Sequence, residues 1–267
     1  MLRDDAAWLL EQYRDEPLAA PGIPYAPLSA SHILLDPSTF RLTPAVNINP
    51  TLAYDETIVR LARWERETIW VQPCLYSDGV RSNYAMDGPG ELRPILAAQY
   101  GHRLPPLDDP RLANGIGLAV IVFDAQGRPY LPRRAPRQSV FPGGYHCTAS
   151  GEAQWNEGPL TFDRFFTENI CRELEEEVGL SRADLEWIRP VAFCREFLRA
   201  GKPQFFFAAR TALDDAVLQS RRRAAIARGR NEILDDVLHD FDPALCTLEC
   251  IANVTLATHT EQQRERS

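Results

Sequence analysis

Ile116–Phe123 reads IGLAVIVF, apolar at nearly every position with no polar alternation, the pattern of a strand covered on both faces. An AQGR turn follows and feeds 129–133 as its expected partner strand. Two further strands are expected near 187–197 and 203–210, joined by the turn-like segment 199–202. Helical spacing of apolar residues predicts helices over about 161–178, 212–228 and 247–259. Toward the N-terminus, 2–15 reads as a short amphipathic helix carrying Trp8, Leu9 and Leu10, and 55–70 as a helix with Ile58, Leu61 and Ala62 on one side. The prolines between 17 and 28 disfavour any continuous element there. Residues 32–50 suggest short strands and turns, and 73–80 a loop or hairpin.

Strands with intervening and terminal helices define an α+β fold, a mixed β-sheet sandwiched by helices, with an N-terminal α/β extension. The prolines and polar residues of 105–115 mark the expected boundary, giving an accessory region at 1–110 and a catalytic domain at 111–267. A chain of 267 residues, 45% hydrophobic, has the material for one large or two modest cores. No apolar run approaches the roughly 18 residues a membrane helix needs, so a cytoplasmic protein with no membrane partner is the expectation. A net charge of −8 argues against extensive nucleic-acid binding, which depends on accumulated Lys and Arg, yet leaves room for a small phosphorylated substrate. The six cysteines form no CxxC pairs and read as reduced thiols in the core. A structural zinc site would require His146 or His259 to converge with distant cysteines.

The chemistry concentrates at Arg172–Leu180, RELEEEVGL. On a helix, Glu173, Glu176 and Glu177 stand at i, i+3 and i+4 and share one side, while Leu174 and Val178 occupy an adjacent apolar side with Ile170 and Cys171. Glu175 lies away from the other three. Crowded carboxylates resist joint ionisation unless a cation compensates, and Mg2+ or Mn2+ with its preference for oxygen ligands suits that role. The same glutamates also suit the polar side of a surface helix, with Gly179 as an ordinary C-cap, so spacing alone leaves both readings open.

RELEEEVGL resembles the complete C-terminal half of the signature of the Nudix hydrolases. The resemblance implies metal binding by Glu173, Glu176 and Glu177, a supporting role for Arg172, and a Nudix-type mixed sheet between helices. The upstream half departs from the family pattern. Keeping the spacing places its glycine at Gly158 and puts Arg164 where a glutamate is expected. Keeping the identities instead selects Gly151 and Glu157, with seven extra residues before Arg172. We prefer the second alignment, in which an added two turns of helix would keep the ligand-bearing end in phase.

Family enzymes activate water through a carboxylate of the signature helix or of another loop. The resemblance therefore makes Glu176 and Glu177 candidates for the base, with Glu196 and Glu232 as outside candidates and Glu152 able to reach the centre. Arg133, Arg134 and Arg195 are candidate phosphate ligands, since a guanidinium offers a planar donor fork. Tyr145, Trp155 and Phe193 are candidates for stacking on a base, although core packing is the commoner use of such residues. Trp70 and the segment 73–79 resemble the region that precedes the catalytic domain in large Nudix enzymes related to uridine diphosphate sugar pyrophosphatases. The implied activity is metal-dependent hydrolysis of a nucleoside diphosphate-linked substrate, a nucleotide sugar first, to a nucleoside monophosphate and a phosphorylated product. The alternative is a noncatalytic Nudix-fold module that senses a nucleotide or binds a protein. The N-terminal region would then serve substrate selection, capping or homodimer formation.

Overall fold

The computed structural model describes residues 32–36, 38–46, 55–86, 92–101, 103–136, 142–155, 161–228 and 233–265. The expected helix at 2–15, the proline-rich stretch, Glu157, Gly158 and Glu232 lie outside them.

Three strands open the described chain: β1 (His32–Leu35), β2 (Thr57–Glu65) and β3 (Thr68–Leu75). β1 runs parallel to β3, and β2 pairs with β3 antiparallel. The helix expected over 55–70 is therefore corrected to a hairpin turning at Arg66, whose φ is 54°. The i, i+3, i+4 spacing of Ile58, Leu61 and Ala62 misleads because Ile58 through Ala62 are all buried, as befits a strand covered on both faces. The β-branched Thr57, Ile58, Val59, Thr68, Ile69 and Val71 settle the matter in favour of the pleated conformation. Arg60 is buried in the same run and donates to the carbonyls of Ala113 and Leu107, both at 2.9 Å.

A four-stranded mixed sheet follows, with β4 (Gly117–Phe123), β6 (Ala149–Glu152), β7 (Trp187–Glu196) and β8 (Lys202–Arg210) in the order β6-β4-β8-β7. β4 and β8 are parallel, and the outer pairings are antiparallel. The expectation that 129–133 pairs with the first long strand is corrected. Only Phe123 and Pro129 form a bridge, and β5 (Leu131–Arg134) pairs instead with β9 (Ile233–Leu238). β6 and Thr148 already occupy that side of β4. The Thr148 hydroxyl accepts from Val122 N at 2.8 Å and donates to Tyr130 O at 2.6 Å.

Among the described residues five α-helices accompany the sheets: α1 (Tyr76–Val80), α2 (Leu92–Tyr100), α3 (Phe162–Val178), α4 (Asp215–Ala227) and α5 (Leu248–Glu265). This is the expected α+β arrangement, mixed sheets flanked by helices with additional N-terminal elements. Strand alternation divides the four-stranded sheet into two apolar faces. Leu118, Val120, Phe205 and Phe207 join one core with Phe165, Phe166, Ile170 and Leu174 of α3, and Val59, Leu61, Ile69 and Val71 of the N-terminal sheet belong to that same core. Ala119, Ile121 and Phe206 face the other way, toward Cys147, Cys246, Cys250 and Val254. The N-terminal hairpin is tied to the larger sheet through backbone, with Val59 N donating to Ala153 O and Ile116 N to Val59 O, both at 2.8 Å. Among the described residues no helix is long and apolar enough to cross a membrane.

Candidate functional site

α3 begins at Phe162 after Thr161 and ends at Gly179, which takes the left-handed conformation (φ 71°) and donates to Glu175 O. Its apolar stripe fixes its roll angle against the sheet, so the acidic side of its last turns meets the edge strand β6. Glu173 and Glu177 are each 8% exposed, and Glu176 is half-buried. The Glu173 carboxyl lies directly against Gly151, where any Cβ would collide with it. Arg172 ties the pieces together: Nη2 lies 2.6 Å from Glu173 Oε1 and donates to the Glu152 carbonyl at 3.2 Å, while Nη1 lies 3.6 Å from Glu176 Oε2. Gly151, Arg172, Glu173 and Glu176 thus form one cluster at the junction of β6 and α3. Arg164, by contrast, is an exposed residue of the first helical turns, paired with Glu168 at 2.7 Å.

The three carboxylates offer hard oxygen donors on one side of a helix, and the Glu173 carboxyl fills the space that Gly151 leaves free. Oxygen donors of this kind are the ones Mg2+ and Mn2+ prefer, but Glu173, Glu176 and Glu177 do not bring their ligand atoms together within 4.8 Å; among the described residues the set that does is His146, Cys147 and Glu249.

The remaining expected residues are dispersed. Arg133 donates to Gly143 O at 2.9 Å and lies 3.6 Å from Asp236. Arg134 is placed on β5, and its backbone N donates to Gly144 O. Arg195 donates to the carbonyls of Gly201 (2.8 Å) and Pro105 (2.6 Å), and burial lowers its pKa to about 10. Those contacts make it a joint between segments. Among the aromatics, Phe193 packs on Trp64 and Phe205, Trp155 rests against the main core, and the Tyr145 hydroxyl donates to Asp236 at 2.8 Å.

Glu152 and Glu196 belong to a second constellation on the other face of the sheet. Lys202, only 2% exposed, lies 3.2 Å from Glu152 Oε1 and 3.9 Å from Glu196 Oε1. Arg199 lies 3.1 Å from Glu196 Oε2, and the Tyr84 hydroxyl donates to Glu152. Burial, reinforced by Glu152, holds the Tyr84 phenol well above its ordinary pKa. Gln204 donates to Glu249 Oε1 at 2.9 Å. Burial and the neighbouring Glu196 push the Glu249 carboxyl up to about 7, against the opposing pull of Arg199, Lys202 and Arg134. Next to it, His146 Nδ1 lies 2.6 Å from Thr247 Oγ1, and burial, with Arg134 and Arg199, holds this imidazole well below its ordinary pKa. His146, Cys147 and Glu249 present ligand atoms within 4.8 Å of one another, a cluster able to coordinate a divalent metal.

Sequence reasoning missed Tyr84, Lys202, Gln204 and Glu249. One signal was available: Gly117 interrupts an otherwise apolar strand, and a Cβ there would strike both Gln204 and Lys202. A glycine inside a strand marks close approach, here by two polar side chains from the neighbouring strand.

No protein-family model matches the chain, and no curated protein does. Among solved structures, a mutT/nudix family protein from Listeria innocua is similar at 18% identity over 57% of this chain and 95% of its own, with a TM-score of 0.38. DR0079 from Deinococcus radiodurans aligns at 21% identity over 45% of this chain and 77% of its own, with a TM-score of 0.30. A NUDIX hydrolase from Nitrosomonas europaea aligns at 15% identity over 48% and 98%, with a TM-score of 0.27.

Proposed function

We propose that this protein is a Nudix-type pyrophosphohydrolase. In this reading it hydrolyses a nucleoside diphosphate linked to another group, releasing a nucleoside monophosphate and the phosphorylated remainder. The observation that carries the reading is the fit between the signature-like helix end and β6: the Glu173 carboxyl occupies the space that only a glycine at 151 leaves open. That contact also favours the alignment through Gly151.

Arg172 orients Glu173 and Glu176 and is itself anchored on the Glu152 carbonyl, which makes it a positioning residue. Bound Mg2+ or Mn2+ would neutralise the diphosphate and favour a water nucleophile. Glu176, the more exposed of the two arginine-bound carboxylates, is the residue best placed to accept a proton from that water. A nucleotide sugar is the first substrate class to try.

The test is product analysis of a panel of nucleoside diphosphate derivatives incubated with Mg2+ or Mn2+. Turnover should fall by about 10²–10⁴-fold in Glu176→Gln and Glu177→Gln, with the fold retained. Turnover unaffected by both substitutions would sink the site assignment. Binding without turnover in the unsubstituted protein would point to a noncatalytic nucleotide-sensing module.

A further inference from the structure

His146 and Cys147 come from the segment leading into β6, and Glu249 from the first turn of α5. An imidazole nitrogen, a sulfur and a carboxylate oxygen thereby meet within 4.8 Å. All three side chains are sequestered: His146 is 3% and Cys147 1% exposed, and the Glu249 side chain 9%.

Each of the three is held from behind. His146 Nδ1 lies 2.6 Å from Thr247 Oγ1, Glu249 Oε1 accepts from Gln204 Nε2 at 2.9 Å, and Cys147 Sγ accepts from Asn253 Nδ2 at 3.7 Å. That leaves His146 Nε2 and Glu249 Oε2 facing each other, with the Cys147 sulfur, which also bonds the Cys250 thiol, beside them. His146 Nε2 and Glu249 Oε2 stand 3.7 Å apart, too far for a hydrogen bond. Outer partners that fix ring orientation and carboxylate direction, with the inner atoms left converging, are the usual surroundings of metal ligands. In a tetrahedral zinc site, bonds of about 2.0 Å to nitrogen and oxygen and about 2.3 Å to sulfur leave the ligand atoms roughly 3.3–3.7 Å from one another. Side-chain adjustments of about 1 Å would close this set to that size.

We propose that His146, Cys147 and Glu249 bind a transition-metal ion of the zinc class. The donor set selects the metal: a thiolate and an imidazole favour zinc and its neighbours, whereas Mg2+ and Mn2+ favour the all-oxygen carboxylates of α3. Ser150 Oγ is hydrogen-bonded to His146 Nε2 at 3.2 Å, a contact that the metal would replace. Binding displaces the Cys147 thiol proton to solvent. The ion joins α5 to the segment that enters β6, and so braces the strand carrying Gly151 from the face opposite α3.

The experiment uses the full chain, stripped with chelator and titrated with Zn2+ or with Co2+ as a spectroscopic probe. One equivalent of Co2+ should produce tetrahedral d–d bands and a thiolate charge-transfer absorption, and Zn2+ should displace it and raise Tm. Cys147→Ser should abolish the charge-transfer absorption. The near-isosteric Glu249→Gln should weaken binding by at least tenfold, and Thr247→Val, which removes the hydroxyl behind the imidazole together with its contact to Cys250 N at the start of α5, by about 10–100-fold. Glu176→Gln should leave the cobalt spectrum unchanged, which separates this site from the carboxylates of α3. Two results would overturn the proposal: a folded, unsubstituted protein that shows neither the cobalt absorption nor a Tm shift with Zn2+, or a charge-transfer absorption that survives in Cys147→Ser.

Discussion

Two sets of three glutamates flank the four-stranded sheet, and they are built in opposite ways. Glu173, Glu176 and Glu177 come from adjoining turns of one helix, whereas Glu152, Glu196 and Glu249 come from β6, β7 and α5. In the helical set, Arg172 supports two carboxylates from the base. The other set is threaded with protein cations and donors: Lys202 between Glu152 and Glu196, Arg199 on Glu196, Gln204 on Glu249. Carboxylates balanced internally hold segments together, and removing one partner exposes the full cost of burying the other. In the proposed reading, the carboxylates of one helix side, two of them oriented by Arg172, serve an external cation instead.

The largest expected break in this contrast is Gly151→Ala. A methyl group there would displace the Glu173 carboxyl, and a misplacement of about 1 Å at a reacting centre costs about 10²-fold in turnover. The measurement is kcat alongside Tm; unchanged kcat would remove Gly151 from the site. On the opposite face, Lys202→Met should act on stability, lowering it by about 3–5 kcal/mol by removing the cation beside buried Glu152, while Arg199 still pairs Glu196. Chemical denaturation reads this out, and a loss below about 1 kcal/mol would show that the cluster is hydrated and not sealed.

Gly179→Ala sharpens the same comparison from the helix end. Its φ of 71° and the Arg221 carbonyl 2.9 Å from any Cβ predict a loss of about 1–2 kcal/mol, with α3 loosened where it meets α4. Asp214→Ala removes the side-chain cap on Val217 N (2.9 Å) and should cost about 1 kcal/mol with no change in activity. Arg164→Ala is expected to do least. Its exposed pair with Glu168 should leave kcat and Tm unaltered, and a loss of activity would revive the alignment that places Arg164 in the signature.

The helical set was legible because it is local. Spacing of 3.6 residues per turn places Glu173, Glu176 and Glu177 together whatever the rest of the chain does, and IGLAVIVF announces a central strand by its composition. The hairpin at 57–75 was misread for a related reason: a strand covered on both faces loses the alternation that identifies it, and its residues then fit a helical period by accident. β9 escaped notice because ILDDVL shows neither a continuous apolar run nor a regular alternation, and its pairing with β5 depends on an element a hundred residues away.

By itself the sequence determined the signature-like helix, its apolar stripe, its glycine cap and the glutamate spacing, all of which follow from bond geometry over a few turns. Only the tertiary structure decided that Gly151 would lie against Glu173, and that Tyr84, Glu152, Glu196, Lys202 and Glu249 would share one buried space. Those meetings depend on strand order and on which face each side chain takes once the sheet is assembled. Pairing between segments far apart in the chain sets both, and no local period encodes it.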